Sequence, residues 1–235
     1  MFEKEINSEY LNETMSLKFY LPEDLDSIYE TNVCIMQDGN DYYNLGKVAT
    51  LSDSLHDDFS INNTIFIGIH YIDRFDRRSK YHPDGDQHNN YKKFLVNEVV
   101  PKVKEELPIN PLGEKWTLMG DSLAGTLAFL VAAENQDLFD NVIMQSPLVN
   151  DQVIEVAKQL KDNTNLEIYH TIGLKETAVG TTVDGRVDFV TPNKALYEVL
   201  HSKKLTYHYH EFPDGIHTWK YWQQDLPRAL SSIFN

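Results

Sequence analysis

An α/β fold, with a mostly parallel central sheet and helices on both faces, follows from three features of the 235-residue sequence. From residue 31 onward, short apolar runs of strand length alternate with longer amphipathic stretches of helix length. Thr64–His70 is continuously apolar, as expected of an interior strand covered on both faces. Residues 116–133 read as strand, sharp turn and helix, with Ser122 at the apex. Length and the absence of a repeat or linker predict one domain over residues 1–235.

Taken in order, residues 3–20 hold two alternating stretches split at Asn12-Glu13 and closed by Pro22, an antiparallel strand pair. Asn32–Gln37 is a short buried strand ending in the turn signal Asp38-Gly39. Leu45–Leu55 carries apolar residues at 45, 48, 51 and 55, which predicts a helix. After the Thr64–His70 strand, a polar, arginine-rich stretch from Tyr71 to about Asn90 reads as a long binding loop. Tyr91–Leu107 predicts an amphipathic helix, kinked or broken at Pro101. Beyond the central strand–turn–helix come strand Asn141–Gln145, helix Val153–Leu160 and strand Leu166–Ile172. Thr191-Pro192 predicts an N-cap and first turn for a helix to about His201. Strand Lys204–Phe212 and helix Thr218–Phe234 finish the chain.

Composition narrows the function. A formal charge of −15 argues against a nucleic-acid partner, which needs a basic face, and disfavours an anionic membrane surface. One cysteine, Cys34, excludes an internal disulfide, and its apolar neighbours mark a buried strand thiol. The N-terminus lacks a secretory pattern and no apolar run reaches the length of a membrane span. A cytoplasmic protein acting on a small molecule is the expectation; homo-oligomerisation is left open. His82, Asp84, Asp86 and His88 lack a recognisable ligand spacing, so neither metal nor cofactor is expected.

The central segment carries the chemistry. A nucleophile elbow strains its serine so that the hydroxyl stands clear of the sheet, and it needs small residues two positions away. Gly120 and Ala124 fill those positions, with Gly125 next. A G-x-S triplet alone arises about once by chance in a chain of this length, so the flanking strand and helix supply the signal.

From about residue 15 onward, the sequence resembles the putative esterase family of α/β-hydrolases, which includes enterochelin-type esterases, feruloyl esterases and mycolyltransferases. The matching pieces, in family order, are residues 17–22, 37–42, Arg77–Pro83, Tyr91–Leu95 with Glu98–Pro101, 119–125, Phe139–Pro147, Gly173–Glu176 and Gly215–Trp222. Ala124 departs from the family's glycine, and Gln136 stands where proline is common. The resemblance implies a serine carboxylic-ester hydrolase with the chain order nucleophile, acid, histidine.

Of the histidines after residue 122, His170, His201, His208 and His210 lie on predicted strands or at a helix end. His217 lies in a loop between the last strand and last helix, where both the fold and the resemblance place the base. Glu176 is the acid the resemblance indicates, with Asp214 as its rival. Backbone N–H groups of Leu123 and Asn40 are the expected oxyanion donors. Asp38, Asp41 and Tyr42 line the site or cap the next helix, while Trp219 and Trp222 wall an acyl pocket or pack in the core. Arg74, Arg77 and Arg78 read as structural ion pairs ahead of contacts to an acidic substrate.

Gly120-Asp-Ser-Leu123 and Asp214-x-x-His217 also spell the serine and acid–base blocks of GDSL hydrolases. That family's serine follows its first strand, whereas over a hundred residues precede Ser122 here. Its Gly-x-Asn-Asp block has no counterpart between 126 and 213. Both readings give a serine esterase; they differ in whether Glu176 or Asp214 serves His217. Cleavage of a siderophore trilactone and transfer of the acyl group to an alcohol are further versions of the same chemistry.

Overall fold

The computed structural model describes residues 1–235 apart from 24, 26–29, 108–112 and 163. Strands β1 (Phe2–Ser8) and β2 (Glu13–Tyr20) form an antiparallel hairpin, turned at Asn12, whose φ is +55°. Six further strands run parallel: β3 (Thr31–Met36), β4 (Thr64–Ile69), β5 (Glu114–Asp121), β6 (Asn141–Gln145), β7 (Glu167–Gly173) and the later β10 (Tyr207–Phe212). The eight-stranded order is β1-β2-β4-β3-β5-β6-β7-β10, with β2 antiparallel to β4. β5, which leads into Ser122, is therefore central.

Alternation within the buried strands sorts side chains onto two cores, because both faces are covered. Val33, Ile35, Ile65, Ile67, Leu118, Val142 and Ile168 point to one side. Cys34, Met36, Phe66, Met119, Ile143 and Tyr169 point to the other.

The first face is covered by helices α3 (Arg74–Tyr81), α4 (His88–Phe94), α5 (Val100–Glu106), α6 (Leu123–Glu134), α7 (Asp151–Gln159) and α8 (Val190–His201). Every residue of α6 from Leu123 to Ala133 is buried. A helix of almost entirely apolar residues, several of them Ala or Gly, fits a position enclosed on all sides. The second face is covered by α1 (Gly39–Asn44), α2 (Val48–Asp57) and α9 (Trp219–Phe234). A small hairpin, β8 (Val179–Gly180) with β9 (Arg186–Val187), stands outside the main sheet.

Four sequence expectations need correction. The helix predicted from Leu45 begins at Val48, and Leu45 is exposed, because Lys47 with φ +58° breaks the backbone between α1 and α2. The arginine-rich stretch after Tyr71 is not a loop: it contains α3, capped by Asp73, whose carboxylate accepts from Phe75 and Asp76 N–H. Pro101 neither breaks nor ends its helix. Leu95–Val99 widens into a π-helical turn, in which Val100 N–H donates to Leu95 C=O, just ahead of the residue that lacks an amide. Finally, α8 starts at Val190, and Asp188, not Thr191, accepts its first N–H groups.

Candidate active site

The elbow is held in a sparsely populated conformation, with φ 52° and ψ −125° at Ser122. Its position is pinned by a bond from Ser122 N–H to Gln145 C=O on the neighbouring strand, 2.8 Å. Gly120 is required: a Cβ there would lie 2.3 Å from the carbonyl carbon of Ala124. Ala124 itself is fully buried with its methyl group accommodated, and the tight position after Ser122 is Gly125, where a Cβ would lie 2.9 Å from the Gly120 carbonyl oxygen.

His217 Nε2 lies 3.0 Å from Ser122 Oγ, and His217 Nδ1 lies 2.6 Å from Glu176 Oε2. Two loops from distant parts of the chain meet to make this contact. They meet because Gly173 and Gly215 touch: a Cβ on Gly173 would sit 2.6 Å from both Gly215 C and Glu176 Oε1. Glu176 is buried, and Oε1 accepts from Ser146 Oγ (2.7 Å) and Gly173 N–H (3.0 Å). Ser146 in turn accepts from Trp222 Nε1, 3.1 Å. Every hydrogen bond to the Glu176 side chain is one it accepts, so its oxygens are fixed while one faces the imidazole. Phe189 and Trp222 stand edge-on to the His217 ring at 4.7 and 4.9 Å and hold its plane.

Asp214, the alternative acid, instead accepts from Lys175 Nζ at 2.5 Å, with its side chain 80% exposed. Leu123 is the first residue of α6, where N–H groups lack an intrahelical partner. Asn40 is the second residue of α1, beside the same strand ends, because Gln37 N–H donates to Met119 C=O and keeps β3 in register with β5.

A partly open cavity borders Ser122 and Leu123. Its other walls come from Arg77, Arg78 and His82 at the end of α3, from Leu148 and Phe189, and from residues 179–182 and 184 of the hairpin. None of Asp38, Asp41, Tyr42, Trp219 and Trp222 lines it. Asp38 is buried in a bidentate pair with Arg77, whose Nε lies 3.0 and 2.9 Å from the two carboxylate oxygens. Asp41 is half-buried near Tyr71, and burial raises its carboxyl above the usual range. Tyr42 is wholly buried and donates to Gln145 Oε1. Trp219 packs edge-on against Tyr42 and Trp222. Trp222 thus backs the histidine from the core, the packing role that the sequence offered beside a pocket wall.

Asp121, directly before Ser122, is buried, and Oδ1 has no hydrogen-bond partner. Burial, then the nearby Asp38 charge, pushes its carboxyl well above the ordinary range. Ser146 and Asp121 went unrecognised as site residues in the sequence; Ser146's φ of +46° leaves no motif. Among the described residues, no group of three or more His, Cys, Asp and Glu side chains is placed to hold a metal ion. No helix among them is long and apolar enough to cross a membrane.

The sequence matches the family described as Putative esterase over residues 8–233. It is 41% identical over 231 residues to the uncharacterized protein YjcH of Bacillus subtilis (strain 168), covering 98% of this chain and 96% of that protein. The structure is similar to the enterobactin esterase FES from Shigella flexneri, with TM-score 0.81 and 19% identity, over 98% of this chain and 58% of that one. The BES protein from Bacillus cereus gives TM-score 0.81 at 19% identity, over 100% and 94% of the two chains. An IroE-like serine hydrolase from Shewanella oneidensis gives 0.79 at 18%, over 99% and 79%. At these identities the likeness is one of fold. The chain spans little more than half the length of the Shigella protein.

Proposed function

The chain belongs to the putative esterase family, and from that premise we propose that it hydrolyses carboxylic esters through an acyl-enzyme on Ser122. The single observation that carries this reading is the unbroken series Glu176 Oε2, His217 Nδ1, His217 Nε2, Ser122 Oγ, with contacts of 2.6 and 3.0 Å. A carboxylate can only accept, so the proton sits on Nδ1 and Nε2 is free to accept from the serine hydroxyl.

In the first half-reaction Ser122 Oγ attacks the ester carbonyl and its proton passes to His217 Nε2. The resulting oxyanion is held by the N–H groups of Leu123 and Asn40. Collapse breaks the bond to the alcohol, which leaves with the proton from Nε2. In the second half-reaction water gives a proton to Nε2 and adds to the acyl carbon, and Ser122 departs as the hydroxyl with the free acid released. Glu176 holds the correct tautomer throughout and stabilises the imidazolium. The exposed pairing of Asp214 with Lys175 supports Glu176 over Asp214 in this role.

The enterobactin named for the Shigella protein would be one such ester. A cytoplasmic setting belongs to the same proposal, supported by the single buried Cys34. Fluorophosphonate labelling and p-nitrophenyl ester cleavage test it. Ser122→Ala should abolish labelling and lower kcat/KM by roughly 10⁴-fold or more. Glu176→Gln should cost about 10²- to 10⁴-fold, and Asp214→Asn should stay within about threefold of the parent. Full activity in Ser122→Ala would overturn the mechanism, and full activity in Glu176→Gln would return the acid role to Asp214.

A further inference from the structure

Two arginines border the cavity beside Ser122, and their situations differ. Arg77 is neutralised by Asp38, with three contacts of 3.0 Å or less. Arg78 has no ion pair or side-chain hydrogen bond among the described residues, and its Nε is fully buried. A guanidinium always carries its charge, and a buried donor left unpaired costs free energy until an acceptor arrives. Asp184 is the one carboxylate among the described cavity-lining residues, and it is exposed on the β8–β9 hairpin and does not pair with Arg78.

The neighbours of Arg78 sharpen the picture. His82 Nδ1 accepts from Asp84 N–H at 3.1 Å, which leaves the other ring nitrogen as a donor. Burial, followed by the charge of Arg78, lowers the His82 pKa and keeps the ring neutral. The end of α3 thus offers a cation and a donor, while Leu148, Val179 and Phe189 from other elements offer apolar surface. Such a cavity suits an apolar chain that ends in an anion.

Which half of the substrate enters follows from His217. The departing alcohol must stay within reach of Nε2 to receive its proton. His217 does not border this cavity, whereas Ser122 and Leu123 do. Resting on the serine-esterase reading, we propose that Arg78 selects esters whose acyl half carries a carboxylate, so that the favoured substrates are half-esters of dicarboxylic acids.

The test compares mono-p-nitrophenyl adipate with p-nitrophenyl hexanoate, which share leaving group and acyl chain length. The parent protein should favour the adipate by about tenfold or more in kcat/KM, the scale of one charge-assisted hydrogen bond. Arg78→Gln should erase that preference, lowering kcat/KM for the adipate about tenfold more than for the hexanoate. Arg78→Lys should keep part of it, since the charge remains and the planar fork is lost. The parent ratio is read without any variant, so a missing preference counts against the proposal however well either variant folds. Cleavage of hexanoate without preference for adipate overturns the proposal and leaves the serine-esterase reading standing. Equal loss on both esters in a folded Arg78→Gln also overturns it. If the parent takes no fluorophosphonate label and cleaves neither ester, both readings fall together.

Discussion

Asp121 precedes the candidate nucleophile by one residue, and its carboxyl is enclosed with Asp38 nearby and no partner for Oδ1. Desolvation, aided by that charge, raises its folded pKa above the value of about 3.9 for a free aspartate. A raised folded pKa means the native state holds a proton the unfolded chain gives up. Its contribution to stability is therefore complete below about pH 4 and is lost as pH rises through the folded value. Asp121→Asn removes the titration, so the variant's Tm should gain on the parent's as pH is raised from 4.5 to 8. A constant difference between the two melting curves would show that Asp121 ionises freely. The same residue illustrates what a sequence reveals of a site. Gly120, Ser122 and the flanking strand and helix are legible because the elbow's sterics demand small residues at fixed spacing. Asp121, Ser146 and Arg78 gain their roles from neighbours distant in the chain, as when Ser146 meets Glu176 across 30 positions.

Strand β7 and helix α8 meet at a fully buried histidine. His170 is fully buried, with Nε2 2.7 Å from Asn193 Oδ1 and Nδ1 2.8 Å from Tyr207 Oη on β10. Burial lowers its pKa to about 4. Here the sign is opposite to that of Asp121: the unfolded chain binds the proton more readily, near pH 6.5. The stabilisation is complete above that value, on the order of 3 kcal/mol, and is lost as pH falls toward 4. The urea midpoint of the parent should drop between pH 7 and pH 5 by more than that of His170→Gln, even though the variant starts lower. Parallel pH profiles would rule out the shift. Strand β4 was legible as a continuous apolar run, because burial on both faces removes the polar alternation. Helix α3 was not, since its sequence is dominated by Arg, Lys and Asp and only Lys80 and Tyr81 are buried, and α4 was legible only from Tyr91 onward. The π turn before Pro101 escaped for a related reason: a proline rule describes a missing bond and says nothing of how the backbone reroutes.

At the scale of the whole molecule, the last helix is tied to the floor of the elbow by a buried polar network. Asp225 on α9 is 1% exposed and accepts from Tyr169 Oη (2.8 Å), Gln145 Nε2 (3.1 Å) and Arg228. Gln145 closes the circuit, because its backbone carbonyl holds Ser122 N–H and its side chain also meets Tyr42 on α1 and Trp222 C=O. One carboxylate thereby links β6, β7, α1 and α9 across the second core. Removing one partner from such a network strands the others in a low-dielectric interior, which costs more than the bonds themselves contribute. Asp225→Ala should lower unfolding free energy by about 3 kcal/mol, read as a reduced urea midpoint at unchanged slope. It should also slow fluorophosphonate labelling of Ser122 under conditions where the variant is still folded, since the strand that pins the elbow has lost its anchor. Asp214→Asn is the matched control, an exposed acid in the loop next to His217, and should leave the midpoint where it was. If Asp225→Ala loses stability but labels at the parent rate, the network holds the fold without positioning the elbow. If it loses neither, Gln145 and Tyr169 are satisfied in some other way and the link between the C-terminal helix and Ser122 does not exist.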